Sequence, residues 1–435
     1  MPEPRIDPAL PRSLGLGAIW LLVVNGMVGA GIFGLPSGAA KLAGGFSPWL
    51  YVLCALLILP VLLCFAALAS RFRSSGGPAL YATEAFGLFV GFQAGWLFYV
   101  ARAIAFSANS VLLVDSIGYF WPPAAQGGTR LALLALVCGG LTALNVFGTL
   151  QAMRSLALLT VLKFAVLAGL ALLGVALYGA TIPHHVQAWP VHGSSIGAAM
   201  LLVVYAFVGF EQAVVPAGEA RDPARDMPRG LLLGLAGVVA LYTLIQIVSL
   251  AAVPAIAAST TPLLDAAAAM LGPVGAGVLM LGLLASVGGN LLSTTFTTPR
   301  LSHALAQDGR LPAWFGRVHP RFMTPANSIL FYGLVSFVLA AFGSFLWLAA
   351  SSVVTRLLLY LLTCTAAWRL QPAPGAARAF MLPFGPLVPL LGIAACIALI
   401  FNAKAQSALL TGVFLVLGTL LHAVARRRRS SPGAG

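Results

Sequence analysis

The amino-acid sequence predicts an all-α integral membrane protein of about twelve spanning helices, the first and sixth of them broken. Three observations predict it: an extreme apolar composition, twelve separable apolar runs, and glycine–proline interruptions in two runs that lie five spans apart. Of 435 residues, 60% are hydrophobic and only 8% are charged, with a mean hydropathy of +0.98. A soluble domain carries roughly 25% charged residues. The gaps between the apolar runs are too short to hold a soluble domain of their own.

A helix needs roughly 20 apolar residues to cross the hydrocarbon of a bilayer. Such runs fall at 15–40, 48–70, 86–120, 129–147, 153–179, 195–218, 230–253, 273–297, 325–343, 345–369, 383–402 and 406–425. The third is too long for one perpendicular crossing and predicts a tilted helix with Gly91 to Val114 as its core. The chain therefore divides into a polar N-terminus (1–14), five spans (15–180), five more (195–370), two further spans (383–425) and a basic tail (426–435). Met1 to Arg12 is polar and Pro-rich, and no small-residue cleavage site follows the first run, so no cleavable signal peptide is expected.

Charge predicts the orientation. With both termini placed in the cytoplasm, the inner segments collect Arg5, Arg12, Arg71, Arg73, Arg154, Arg221, Arg225, Arg229, Arg300, Arg310, Arg317, Arg321, Arg369, Arg378 and Arg426 to Arg429. These are 18 of the 24 Lys and Arg residues, against only Lys41, Arg130 and Lys404 outside. That asymmetry follows the positive-inside rule. The net charge of +14 then reflects topology, and no nucleic-acid partner is implied. Arg426 to Arg429 reads as a stop that contacts anionic lipid. The Ala-, Leu- and Arg-rich usage suggests a GC-rich bacterial genome and hence a cytoplasmic membrane.

Cys54, Cys64, Cys138, Cys364 and Cys396 lie inside apolar spans without a CxxC pair or a nearby histidine, so neither disulfide nor zinc site is expected. His184, His185 and His192 share one predicted outer loop, which reads as solvated loop before it reads as a metal site. No cofactor is implied.

The two unusual spans carry the chemistry. The first contains Gly26-Met27-Val28-Gly29-Ala30-Gly31-Ile32-Phe33-Gly34-Leu35-Pro36, and the sixth contains Phe207-Val208-Gly209-Phe210-Glu211-Gln212-Ala213-Val214-Val215-Pro216. In each, a proline follows a glycine by seven residues, and the two motifs lie 180 residues apart. Glycine permits unwinding and proline removes a backbone donor. Unpaired backbone at membrane depth survives only where it lines a cavity or meets a ligand. Interrupted helices at matching positions of two halves point to a midplane binding site, and an odd number of spans per half makes the halves opposite in topology. Glu211 strengthens that reading, because a carboxylate in an apolar span is costly.

An unwound Gly29-Ala30-Gly31 offers amide hydrogens at the start of a half-helix, where the dipole favours an anion such as a carboxylate. Half-helix ends around Met27 and Phe207–Val208 offer carbonyls suited to an ammonium. Donors opposed to acceptors describe a site for an α-amino acid, the small-molecule partner expected here.

These residues resemble the amino acid–polyamine–organocation superfamily. Gly29-Ala30-Gly31-Ile32-Phe33 with Pro36 is similar to its first-helix G-[ST/A]-G-[IV]-F…P signature. Ser74-Ser75-Gly76-Gly77-Pro78-Ala79-Leu80-Tyr81 with Phe86-Gly87 resembles the approach to its third helix. Phe207 to Glu211, with Glu219 to Pro228, resembles its F-x-G-x-E…E-x-x-[ND]-P run, and Arg300…Asp308-Gly309-Arg310-Leu311-Pro312…Thr324-Pro325 resembles the loop after its eighth helix. The four matches keep the family order over residues 15–330. The resemblance implies a LeuT-type fold: a 5+5 inverted repeat with discontinuous helices 1 and 6 and two extra C-terminal helices. It implies substrate contact by residues 27–32 and 205–211, an aromatic closing over the substrate at Tyr205, and a proton-linked role for Glu211. Ala30 stands where the family often has Ser or Thr, which removes one hydroxyl contact.

Lys163 lies about ten residues beyond Arg154 inside the fifth span, a depth at which an ammonium is costly and able to shed its proton. A lysine snorkelling to the cytoplasm is the alternative. In proton-coupled relatives a lysine at this place fills the volume of a sodium ion, so the resemblance implies protons as the coupling partner. Arg102, Asp115 and Arg356 are further charges within spans, open to pairing with Glu211 or each other. Thr294, with Ser286, Asn290 and Ser293 on the eighth span, reads either as a substrate contact or as helix-packing polarity.

The expected activity is therefore secondary transport of an amino acid by proton symport or exchange, with a neutral side chain favoured because Glu211 is the one certain pocket carboxylate. A polyamine carrier of the same fold is the alternative. The spans hold no Ser/His/Asp, HExxH or paired-carboxylate constellation and no GxxxxGK[ST] loop, so neither an enzyme nor an ATP-driven pump is expected. Oligomeric state, and the choice of symport or exchange, stay open at this level.

Overall fold

Backbone polar groups in hydrocarbon must pair within their own segment, so the apolar runs fold as helices. The computed structural model describes residues 14–72, 76–148, 156–189, 195–370 and 380–429. Expectations attached to Arg5, Arg12, Arg73, Ser74, Ser75, Arg154, Arg378, His192 and residues 430–435 lie outside the described residues. The helices are α1 (Leu16–Met27), α2 (Gly31–Ala43), α3 (Ser47–Arg71), α4 (Gly77–Phe86), α5 (Leu88–Phe120), α6 (Gly127–Val146), α7 (Leu156–Tyr178) and α8 (Ile182–His185). They continue with α9 (Ile196–Val203), α10 (Pro223–Ala252), α11 (Pro262–Leu283), α12 (Gly289–Gln307), α13 (Ala326–Phe342), α14 (Phe345–Arg369), α15 (Leu387–Ile400) and α16 (Ala405–Arg429). No strand occurs among the described residues beyond one isolated bridge, Leu14 to Ala220.

Among the described residues, eight helical stretches are long and apolar enough to cross a membrane, and four shorter apolar helices complete an arrangement of twelve crossings. A twelve-residue helix is about 18 Å long, so α1 and α2 cross the bilayer only as a pair. The sixth crossing is α9 followed by short turns through Glu219. The eighth is α11 after its bend at Leu271 and Gly272, joined to α12 through a π-helical turn at Leu284–Gly288. The third, α5, has 33 residues, so at about 50 Å it far exceeds the hydrocarbon thickness.

The broken helices sit in the middle. Helix α10 packs on α1 and α3, α14 packs on α5 and α3, and α2 packs on α9. The periphery turns large apolar residues outward, among them Leu136 of α6, Leu172 of α7 and Leu409 of α16, as a lipid-facing surface requires. Cys54, Cys64, Cys138, Cys364 and Cys396 are all free and buried. The tail of α16 runs through Arg426 and Arg427, both exposed.

At one end of the molecule, the segment before α1 is tied to the end of the sixth crossing. The Leu14 amide donates to the Glu219 carbonyl at 3.1 Å, and the Arg221 amide donates to the Leu14 carbonyl at 2.9 Å. The two interrupted crossings are thus fastened together beyond their breaks as well as at them.

Candidate functional site

Helix α1 stops at Met27 because the chain turns away from helical geometry at Val28, and α2 begins only at Gly31. The last carbonyls of a helix lack intrahelical partners, and here side chains from three other helices supply them. Tyr242 Oη donates to the Met27 carbonyl at 3.1 Å. Lys163 Nζ donates to the Val28 carbonyl at 2.6 Å, the Asn25 carbonyl at 3.2 Å and Asn25 Oδ1 at 2.8 Å. Ser286 Oγ, on the π-helical turn, also donates to the Val28 carbonyl at 3.1 Å. Lys163 is therefore held among three oxygens of the first break, 2% exposed.

Beyond the break, Phe33 and Gly34 donate back to the Ala30 carbonyl, and Gly29 donates to the Met27 carbonyl. The amides of Ala30, Gly31 and Ile32 have no backbone acceptor among the described residues. They form the free N-terminal end of α2.

In the sixth crossing, α9 tightens through a 3-10 turn at Val204–Ala206 and breaks at Gly209. Gly209 has φ +112°, a conformation that side chains disfavour. The two breaks touch: a Cβ built on Gly26 collides with the Gly209 carbonyl, and one built on Gly209 collides with the Gly26 carbonyl.

Between them lies a small cavity of about 30 Å³. Its walls are Gly26, Met27, Gly29, Ala30 and Gly31 from the first break and Tyr205, Val208, Gly209 and Gln212 from the second. Arg102, Ala105 and Asn109 of α5, Asn290 and Thr294 of α12, and Arg356 of α14 complete it. Tyr205 meets Phe345 edge-on, with ring centroids 6.0 Å apart, and its hydroxyl donates to Asn109 Oδ1 at 3.3 Å. Asn109 Nδ2 donates to Asn290 Oδ1 at 3.2 Å, and Thr294 Oγ1 donates to the same oxygen at 3.1 Å.

Of the residues expected at the site, Met27, Gly29, Ala30, Gly31, Tyr205, Val208, Gly209 and Thr294 line this cavity, and Val28, Ile32, Phe207 and Glu211 stand behind its wall. Val28 spends its carbonyl on Lys163 and Ser286. Ile32 is core, and Phe207 packs between the rings of Tyr51 and Tyr242. The Met27 carbonyl is taken by Tyr242. The carbonyls of Gly26, Phe207 and Val208 carry no backbone bond among those outside regular helices.

Glu211 is fully buried in a closed set of bonds. Arg356 Nε donates to Oε1 at 2.8 Å, Tyr360 Oη to Oε2 at 2.9 Å and the Gly209 amide to Oε2 at 2.8 Å. Arg356 also donates to the Ala101 carbonyl at 3.3 Å and to Ser352. The left-handed turn at Gly209 is what points its amide at the carboxylate two residues on. Asp115 pairs instead with Arg130 at 3.4 Å near the end of α5, far along that helix from Arg102.

Sequence reasoning did not single out Gly26, Ala105, Asn109 or Gln212. Arg102, Ala105 and Asn109 share one face of α5 by their three- and four-residue spacing, so that face was legible from the buried arginine.

The family model described as amino acid permease matches residues 14–420. An uncharacterized transporter of Mycobacterium tuberculosis is 29% identical over 431 residues, 98% of this chain and 94% of that one. The branched-chain amino acid permease BcaP of Bacillus subtilis is 26% identical over 448 residues, 98% of this chain and 95% of its own. An arginine/agmatine antiporter of Chlamydia pneumoniae is 25% identical over 458 residues, 97% and 91% of the two chains.

Proposed function

Because this chain belongs to the amino acid permease family over residues 14–420, we propose that it moves a small amino acid through a cytoplasmic membrane, gripping the zwitterionic head between its two helix breaks. The chain is a multi-pass membrane transporter of amino acids or related organic molecules, and not an enzyme. The observation that carries the finer reading is the opposition of free amides at Ala30 and Gly31 to free carbonyls at Gly26 and Val208 around one cavity. The amide end carries the positive pole of α2 and suits a carboxylate, and the carbonyl end suits an ammonium.

Polyamines and other organic amines are disfavoured, because the one carboxylate beside the cavity among the described residues is already committed to Arg356 and Tyr360. The names of two relatives, a branched-chain amino acid permease and an arginine/agmatine antiporter, fit an α-amino group as the common element. Alternating access then follows from residues 15–180 and 195–370 acting as two opposed five-helix units, with 383–425 outside the repeat. Both termini face the cytoplasm on the arginine distribution.

The proposed coupling ion is the proton. Three oxygens of the first break surround the Lys163 ammonium at 2.6 to 3.2 Å, the kind of oxygen cage that would otherwise suit a small cation. Uptake of a panel of labelled amino acids into proteoliposomes, with and without an acid-outside gradient, tests the whole reading. Uptake driven by that gradient and indifferent to sodium is expected; sodium-stimulated uptake without a gradient overturns proton coupling. If no amino acid is taken up or exchanged, the transport reading itself fails.

Lys163→Ala leaves those oxygens without their donor. Transport is expected to fall at least about tenfold, since hydrogen bonds to charged groups contribute roughly 1.5–3 kcal/mol. The residual uptake should respond less to pH. An unaltered pH profile would contradict a coupling role for Lys163.

A further inference from the structure

Arg102 is a cation without a counter-ion. It lies in the middle of α5, 6% exposed, and is one of the residues that line the cavity between the breaks. One terminal nitrogen donates to Thr297 Oγ1 at 2.6 Å, and the guanidinium carbon lies 5.4 Å from the centre of the Phe98 ring. Nε is buried and has no partner. The ion pairs among the described residues are Asp115–Arg130, Asp308–Arg310 and Glu211–Arg356, and none of them includes Arg102.

The charge balance of the cavity is therefore one-sided. Arg102 and Arg356 line it, and the one carboxylate beside it among the described residues, Glu211, is taken by Arg356. A buried cation with an empty donor is costly until an anion arrives. A zwitterion with an uncharged side chain adds no net charge and leaves that cost standing. A cationic side chain raises it. A substrate that brings a second carboxylate lowers it, and the planar guanidinium fork matches a carboxylate better than any other ligand group.

The geometry points to a dicarboxylic amino acid as the substrate, with its α-carboxylate at the amides of Ala30 and Gly31 and its side-chain carboxylate at Arg102. This rests on the proposed amino acid transport and replaces the neutral side chain favoured from the sequence. That preference had counted Glu211 as the pocket's charge and left Arg102 unassigned. Thr297 and the Phe98 ring hold the guanidinium in place, so its free edge is preset for an incoming anion.

The test is counterflow in proteoliposomes, each batch loaded with one unlabelled amino acid and given the same compound labelled outside: L-glutamate, L-aspartate, L-serine, L-leucine or L-arginine. Accumulation of glutamate or aspartate, competed at least about tenfold less well by the neutral compounds, is expected. Accumulation of serine, leucine or arginine without the acidic pair overturns the proposal and leaves amino acid transport standing. Accumulation of none overturns both.

Arg102→Gln is expected to lose at least about tenfold in glutamate or aspartate uptake, with Arg102→Lys retaining part of it. Should the glutamine variant fail to fold, thermal unfolding of the wild-type protein decides. Stabilisation by glutamate or aspartate and not by leucine supports the proposal, and the reverse order overturns it.

Discussion

Replacing Arg356 by methionine is expected to abolish transport and to lower the thermal unfolding midpoint by several degrees. The change leaves the Glu211 carboxylate at 0% exposure with Tyr360 and the Gly209 amide but without its cation. Breaking a buried pair from one side costs about 3–5 kcal/mol, because the surviving charge is uncompensated. Glu211→Gln should be damaging too: with its one amide oxygen kept toward Tyr360 and the Gly209 amide, its NH2 donor faces Arg356 Nε and the cation is left uncompensated. The double variant Glu211→Gln with Arg356→Met is expected to be more stable than Arg356→Met alone, a non-additivity that a double-mutant cycle measures. If the Arg356→Met loss is unchanged when Glu211 is already neutral, the two residues are not coupled as the structure has them. Glu211→Gln also tests the proton-linked role implied by resemblance. A variant that transports with an unchanged pH dependence removes Glu211 from the coupling scheme and leaves it as the clamp that shapes the second break.

Gly209→Ala is expected to have an effect as large, for a different reason. At φ +112° an alanine carries about 1–3 kcal/mol of backbone strain. Its Cβ also collides with the Gly26 carbonyl across the interface of the two breaks. The contact cannot give way by a side-chain rotation, because the Cβ is fixed by its own backbone and the Gly26 atoms it meets are backbone. The site must open, and with it the alignment of the Gly209 amide on Glu211 and of the free carbonyls on the cavity. Uptake is expected to be lost even where protein of normal abundance reaches the membrane. Gly26→Ala makes the reciprocal collision with the Gly209 carbonyl without the positive φ. It should be damaging but milder. Equal uptake by either variant and the wild type would mean that the two breaks separate freely, contrary to their close apposition.

The features that could be read from the sequence are those with a local cause. The two breaks follow from glycine seven residues ahead of proline, and the structure interrupts both helices there, at Val28–Ala30 and around Gly209. The crossings follow from apolar length, and even the overlong third run is one continuous helix, Leu88–Phe120. What was hidden depends on long-range pairing or on which way a backbone group turns. Glu211 stands out as a buried charge, yet its partner lies 145 residues away on α14. Val28 sits within the break and was expected to touch substrate, but its carbonyl rotates toward Lys163 on α7, 135 residues on. The Met27 carbonyl, expected to meet an ammonium, is similarly capped by Tyr242 from α10. Periodicity does not reveal such reversals, because adjacent carbonyls in an unwound segment point in different directions. Asn109 went unnoticed because a single polar residue on an apolar helix usually serves packing. Only its placement on the Arg102 face gives it meaning.

The central claim is that one substrate molecule is held by both helix breaks, its carboxylate by free amides and its ammonium by free carbonyls. Competition against uptake of the transported amino acid by two of its derivatives, the α-carboxamide and the N-acetyl compound, tests that claim most directly. Each derivative removes one charge and keeps the side chain. Both are expected to compete at least about tenfold more weakly than the parent, as the loss of a charge-assisted hydrogen bond requires. Full competition by either derivative would contradict the account, since one of the two breaks would then contribute nothing to recognition.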